Sequence, residues 1–83
     1  MAINSSLNYQ NPQMNSMLSA AVSALASMFK THAGKEFNLR KLTADVANRS
    51  NSSPDIARDV IIEAIDDGRL EMTNRFLIRF PKT

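Results

Sequence analysis

The run from Asn51 to Phe80, NSSPDIARDVIIEAIDDGRLEMTNRFLIRF, constrains the fold most, because it carries both ends of one helix and then changes period. Ser53 is a good N-cap, since its hydroxyl can accept from an orphaned backbone N–H. Pro54 takes a first-turn position where no hydrogen bond is lost, and Asp55 suits the positive helix end. Gly68 closes the helix after Asp67, because glycine enters the left-handed C-terminal conformation without a Cβ penalty. Between these signals Ile56, Ala57, Val60, Ile61, Ala64 and Ile65 share one half of a helical wheel, which must face a core. Asp55, Arg58, Asp59, Ile62, Glu63 and Asp66 occupy the other half.

After Gly68 the period drops to two, with Leu70, Met72, Phe76, Ile78 and Phe80 in one parity, so a hairpin must put these residues on one face. A loop of Thr73, Asn74 and Arg75 achieves this by setting Met72 opposite Phe76 and Leu70 opposite Ile78. Asn74 or Arg75 then takes the left-handed conformation, with Asn the easier choice. Pro81 ends the second strand because it has no N–H to donate.

Upstream, Asn11 and Pro12 repeat the cap-then-proline start, predicting a long helix to about His32 with Gly34 just beyond it. Its apolar face is Met14, Met17, Leu18, Ala21, Val22, Leu25, Met28 and Phe29. The opposite face, Asn15, Ser16, Ser19, Ser23 and Ser27, is uncharged until Lys30. Such a face is either a solvated polar surface or, since small residues permit close approach, a helix contact between two protomers of a homodimer. Residues 1–11 are rich in Asn, Ser and Gln and read as a flexible arm whose end Tyr9 pins to the core. Lys35 to Asn38 is a connector in which Phe37 points inward, in reach of β pairing beside the hairpin. Asn38 caps a helix whose inner face is Leu39, Leu42, Thr43, Val46 and Ala47, with Arg40, Lys41, Ala44 and Asn48 outside; Arg49 to Ser52 form a turn. The expected organisation is a single domain over residues 12–83, mostly α with a small β-hairpin. Its core is expected to hold Leu18, Val22, Leu25, Phe29, Leu42, Val46, Val60, Ile61, Ile65, Leu70 and Phe76.

A chain of 83 residues buries only about 60–65% of its unfolded surface, so a partner or second copy would add useful area. Cys is absent, which excludes disulfides and thiolate chemistry, and the lone His32 reads as a solvent-facing residue at a negative helix end. No apolar run reaches the roughly 20 residues that span a bilayer, and MAINSSLNYQ lacks the pattern of a signal peptide; a soluble, cytoplasmic domain is expected. Enzymatic motifs are missing: there is no glycine-rich phosphate loop, no GxSxG and no nucleophile–base pair. Asp66, Asp67 and Glu71 straddle a helix end and a strand, which suits a solvated cluster better than a divalent-cation site. Neither catalysis, nor a metal, nor a cofactor is expected.

In LTADVANRSNSSPDIARDVIIEAIDDGRLEMTNRFLIRF the chain resembles the winged helix-turn-helix family, with the resemblance extending over Leu18 to Phe80. Leu42, Val46 and Ala47 look like the supporting helix, Ser52 and Ser53 like the start of the recognition helix, and Val60, Ala64 and Ile65 like that helix's core face. Gly68, Arg69 and Leu70 look like the opening of the wing. The resemblance implies a small DNA-binding regulator of the size found in phages, plasmids and bacterial operons. Its recognition helix would lie in the major groove of double-stranded DNA and its wing against phosphates or the minor groove. Carried over, the base-facing residues are Asn51, Ser52, Ser53, Asp55, Arg58 and Asp59. Arg49 lies near the backbone, Asn74 and Arg75 at the wing tip, and Arg79 and Lys82 further along it.

The charge pattern supports an alternative. Formal net charge is +2, yet Pro54 to Asp67 sets Asp55, Asp59, Glu63, Asp66 and Asp67 against Arg58 alone. Phosphates repel such a face. On the second reading Asp55, Asp59, Ile62, Glu63 and Asp66 form a protein interface, with Ile62 an apolar anchor inside a charged rim. That face would dock on a basic protein surface, for example as an inhibitor that mimics nucleic acid.

Overall fold

The structure, a computed structural model, describes the backbone of residues 12–82 and the side chains of residues 16–82. In chain order it contains α1 (Pro12–Thr31), β1 (Glu36–Phe37), α2 (Leu39–Ser50), α3 (Pro54–Asp66), β2 (Glu71–Met72) and β3 (Ile78–Arg79). The arm expected over residues 1–11, the pinning role of Tyr9 and the Asn11 cap lie outside the described residues, as do the side chains of Met14 and Asn15. The local signals act as their chemistry demands: Asn38 Oδ1 accepts from Lys41 N at 2.7 Å, and Ser53 Oγ accepts from Ile56 N at 3.3 Å. Gly68, at φ +84, ends α3, and Arg69 N and Leu70 N both donate to Ala64 O, at 2.9 and 3.1 Å.

The three helices pack pairwise around Ala21, Leu25, Met28, Leu42, Val46, Ala47, Ala57, Val60, Ile61 and Ala64. The sheet has the order β1-β3-β2, all antiparallel, and contributes Leu70, Ile78 and Phe80 to the same core. Phe37 thus does lie beside the hairpin, paired with Ile78. His32 departs from its expected solvent-facing place. It is half-buried, with its ring 5.6 Å from Phe37 and 5.9 Å from Phe80, and the last also meets Phe29 edge-on at 5.4 Å.

Leu18 and Val22, expected in the core, are 39% and 44% exposed, and Phe29 and Ile65 are only half-buried. The apolar residues of α1 span a wide arc, and the packed strip follows the narrower line of Ala21, Leu25 and Met28. Leu18 and Val22 sit one step round the helix, on the shoulder of that line.

The hairpin differs most. Met72 pairs with Ile78 and Glu71 with Arg79, two residues along from the expected partners, and the loop is Asn74, Arg75 and Phe76. A two-residue shift leaves every side chain on its face, so alternation could not choose between the registers. The choice comes from β1, which holds Ile78 opposite Phe37, and from Thr73. The Thr73 N–H donates to Leu77 O at 2.7 Å, and Thr73 Oγ1 accepts from Arg75 N at 3.2 Å and from Leu77 N at 3.1 Å. The left-handed residue is consequently neither Asn74 nor Arg75 but Phe76, at φ +62, and its side chain is 80% exposed instead of buried. For an L-residue of this bulk that conformation costs roughly 1–2 kcal/mol.

Candidate nucleic-acid interface

The turn between α2 and α3 is built by its own polar residues. Asn51 is the left-handed C-cap of α2, and its N–H donates to Ala47 O. Ser50 Oγ donates to Val46 O at 2.6 Å and shares a 2.7 Å hydrogen bond with Ser52 Oγ. The hydroxyls of Ser52 and Ser53 therefore already shape the turn, although each keeps spare hydrogen-bonding capacity. Arg49, Asn51 and Arg58 are exposed.

Arg58 does not stand alone. Together with Leu39, Arg40, Thr43, Ala44 and Pro54 it lines an open groove of about 570 Å³ between the first turns of α2 and α3. Two guanidinium side chains and the positive ends of two helix dipoles border this groove, with Asp55 the nearby opposing charge. Thr43 Oγ1 is shut off from solvent there and has no hydrogen-bond partner. Arg40 and Thr43 were not among the residues singled out by sequence. Arg40 reads as merely outward and Thr43 as an inner-face residue, and only the crossing of the two helices brings them to Arg58.

On the hairpin, Asn74 and Arg75 are exposed at the tip beside Phe76. Arg79 is placed differently. The middle strand sets it opposite both Glu36 and Glu71. Its Nε donates to Glu71 Oε1 at 3.0 Å, its Nη2 makes a further contact with the same oxygen, and its Nη1 lies 3.8 Å from Glu36 Oε2. The hydrogen bond to Glu71, then the Glu71 charge, raise the Arg79 pKa above its already high ordinary value, so this cation is engaged within the sheet. Lys82 is exposed, and Arg69 pairs with Asp67 at 2.9 Å.

Asp55, Asp59, Glu63 and Asp66 are all exposed, and among the described residues none of them joins an ion pair. Ile62 lies on the same outer face, 37% exposed. Ser16, Ser19, Ser23 and Ser27 are likewise exposed along α1. Among the described residues no group of three His, Asp or Glu is close enough to hold a metal ion, and no helix is long and apolar enough to cross a membrane. No protein-family model matches the chain, and comparisons with curated proteins and with solved structures yield no match.

Proposed function

We propose that the chain is a small regulatory DNA-binding module of the winged helix-turn-helix type, with α3 as recognition helix and the β2–β3 hairpin as wing. The element order supports this reading: helix, strand, helix, tight turn, helix and hairpin, with β1 pairing on the far side of β3. The observation that carries it furthest is the groove between the starts of α2 and α3, where Arg40, Arg58 and two helix N-termini converge on space open to a backbone phosphate. The hairpin adds Arg75 at its tip and Lys82 at its base. A gel-shift titration against random duplex at two salt concentrations tests the proposal. Affinity should fall steeply with salt, and Arg40→Ala and Arg58→Ala should each weaken binding and reduce the salt slope by about one. Asp59→Asn should leave binding equal or tighter by removing a repulsion. No binding to duplex at low salt would sink the proposal.

The four exposed carboxylates around Ile62 favour a second reading, in which the same helix docks on a basic protein surface. Ile62→Asp and Asp59→Lys would then abolish capture of that partner, whereas Arg40→Ala and Arg75→Glu would change little.

A further inference from the structure

The hairpin tip combines several features that the fold itself does not need. Phe76 is a large aromatic residue, 80% exposed, and it stands at a left-handed position where Gly or Asn would be at ease. Asn74, which tolerates that conformation well, is in the same loop yet does not occupy the position. The backbone of Phe76 is held by the Thr73 hydrogen bonds on both sides of it, so the ring is presented by a closed loop rather than a floppy one. Strain that is held in place and exposes an apolar ring contributes nothing to stability, and such strain collects at sites of contact. Beside the ring, Arg75 is exposed and fully available, in contrast to Arg79, which the flanking carboxylates engage.

We propose that Phe76 is a wedge that stacks on nucleobases at a base step of the bound duplex, with Arg75 placed to hold the adjoining phosphate. Asn74, Arg75 and Phe76 are all exposed at the turn of the hairpin, and an exposed ring on such a tip is suited to entering a concavity in its partner. The flat apolar ring beside a guanidinium matches base faces next to phosphates. The minor groove, about 6 Å wide, admits one ring, and flexible pyrimidine–purine steps open at the least cost. This inference rests on the DNA-binding reading and adds a specific contact to it.

The chain contains no Trp, so Phe76→Trp places a single indole at the tip. With a short duplex carrying a central TA step, the emission of that indole should be strongly quenched on saturation while affinity stays close to that of the unmodified chain. Phe76→Ala and Phe76→Gly should weaken binding by about 5- to 150-fold, the range that base–aromatic stacking carries. Phe76→Gly should at the same time raise the thermal midpoint, which separates a lost contact from a damaged fold. Failure of the unmodified chain to bind the duplex would overturn both this proposal and the DNA reading. Binding that Arg58→Ala weakens but Phe76→Ala does not, or an indole emission unchanged by saturating duplex, would overturn the wedge alone.

Discussion

Two threonines show how completely the surroundings decide what a hydroxyl is worth. Thr73 Oγ1 accepts from two backbone N–H groups and fixes the loop, whereas Thr43 Oγ1 is removed from solvent with no partner. Replacement by Val keeps shape and β-branching and removes only the polar atom, so the same substitution should have opposite signs at the two positions. Thr73→Val should cost about 1 kcal/mol by leaving Arg75 N and Leu77 N without their acceptor. Thr43→Val should be neutral or stabilise by up to roughly 1 kcal/mol, because an unsatisfied buried hydroxyl is a net penalty. Chemical denaturation of the two variants checks both signs.

The elements differ in how far their packing is set by their own residues. Ile61 is fully buried in α3 while Ile65, on the same apolar half, is only half-covered. Ile61→Ala should therefore cost about 2–5 kcal/mol and Ile65→Ala clearly less, as measured by denaturation midpoints. Helix ends were legible in the sequence because a cap is a short-range event: Asn38, Ser53 and Gly68 need only neighbours within a turn to do their work. The core face of α3 was legible for a related reason, since its phase follows from its own spacing. Hairpin register was not, because it depends on β1, and the pairing of Phe37 with Ile78 is a contact between residues far apart in the chain. The candidate site divides along the same line. Arg49, Asn51, Arg58, Asn74 and Arg75 come from the resemblance to the winged helix-turn-helix family and are exposed, whereas the partnership of Arg58 with Arg40 and Thr43 arises only from the crossing of two helices. Parity assigns Phe76 to the core, and parity has no means of registering a left-handed backbone.

At the scale of the whole molecule, the outer side of α1 remains without a partner among the described residues. Leu18 and Val22 stand exposed beside Ser19, Ser23 and Ala26, and the strip carries no charge before Lys30. A domain of this size stands to gain from covering that surface, and an uncharged strip of small and apolar residues opposes a second copy of itself with no repulsion. We propose that the strip serves self-association through α1, and mass action makes this measurable. If dimer formation contributes to stability, the thermal midpoint should rise with protein concentration. Ser23→Glu and Val22→Glu should each bring two like charges together across the contact. They should yield a monomer by sedimentation and remove the concentration dependence, while the folded protomer persists, because both positions are already exposed. A unmodified chain that sediments as a monomer at high concentration, with a midpoint independent of concentration, would show instead that the strip is an ordinary solvated face. The stability of the domain would then rest entirely on the core that the three helices and the sheet already share.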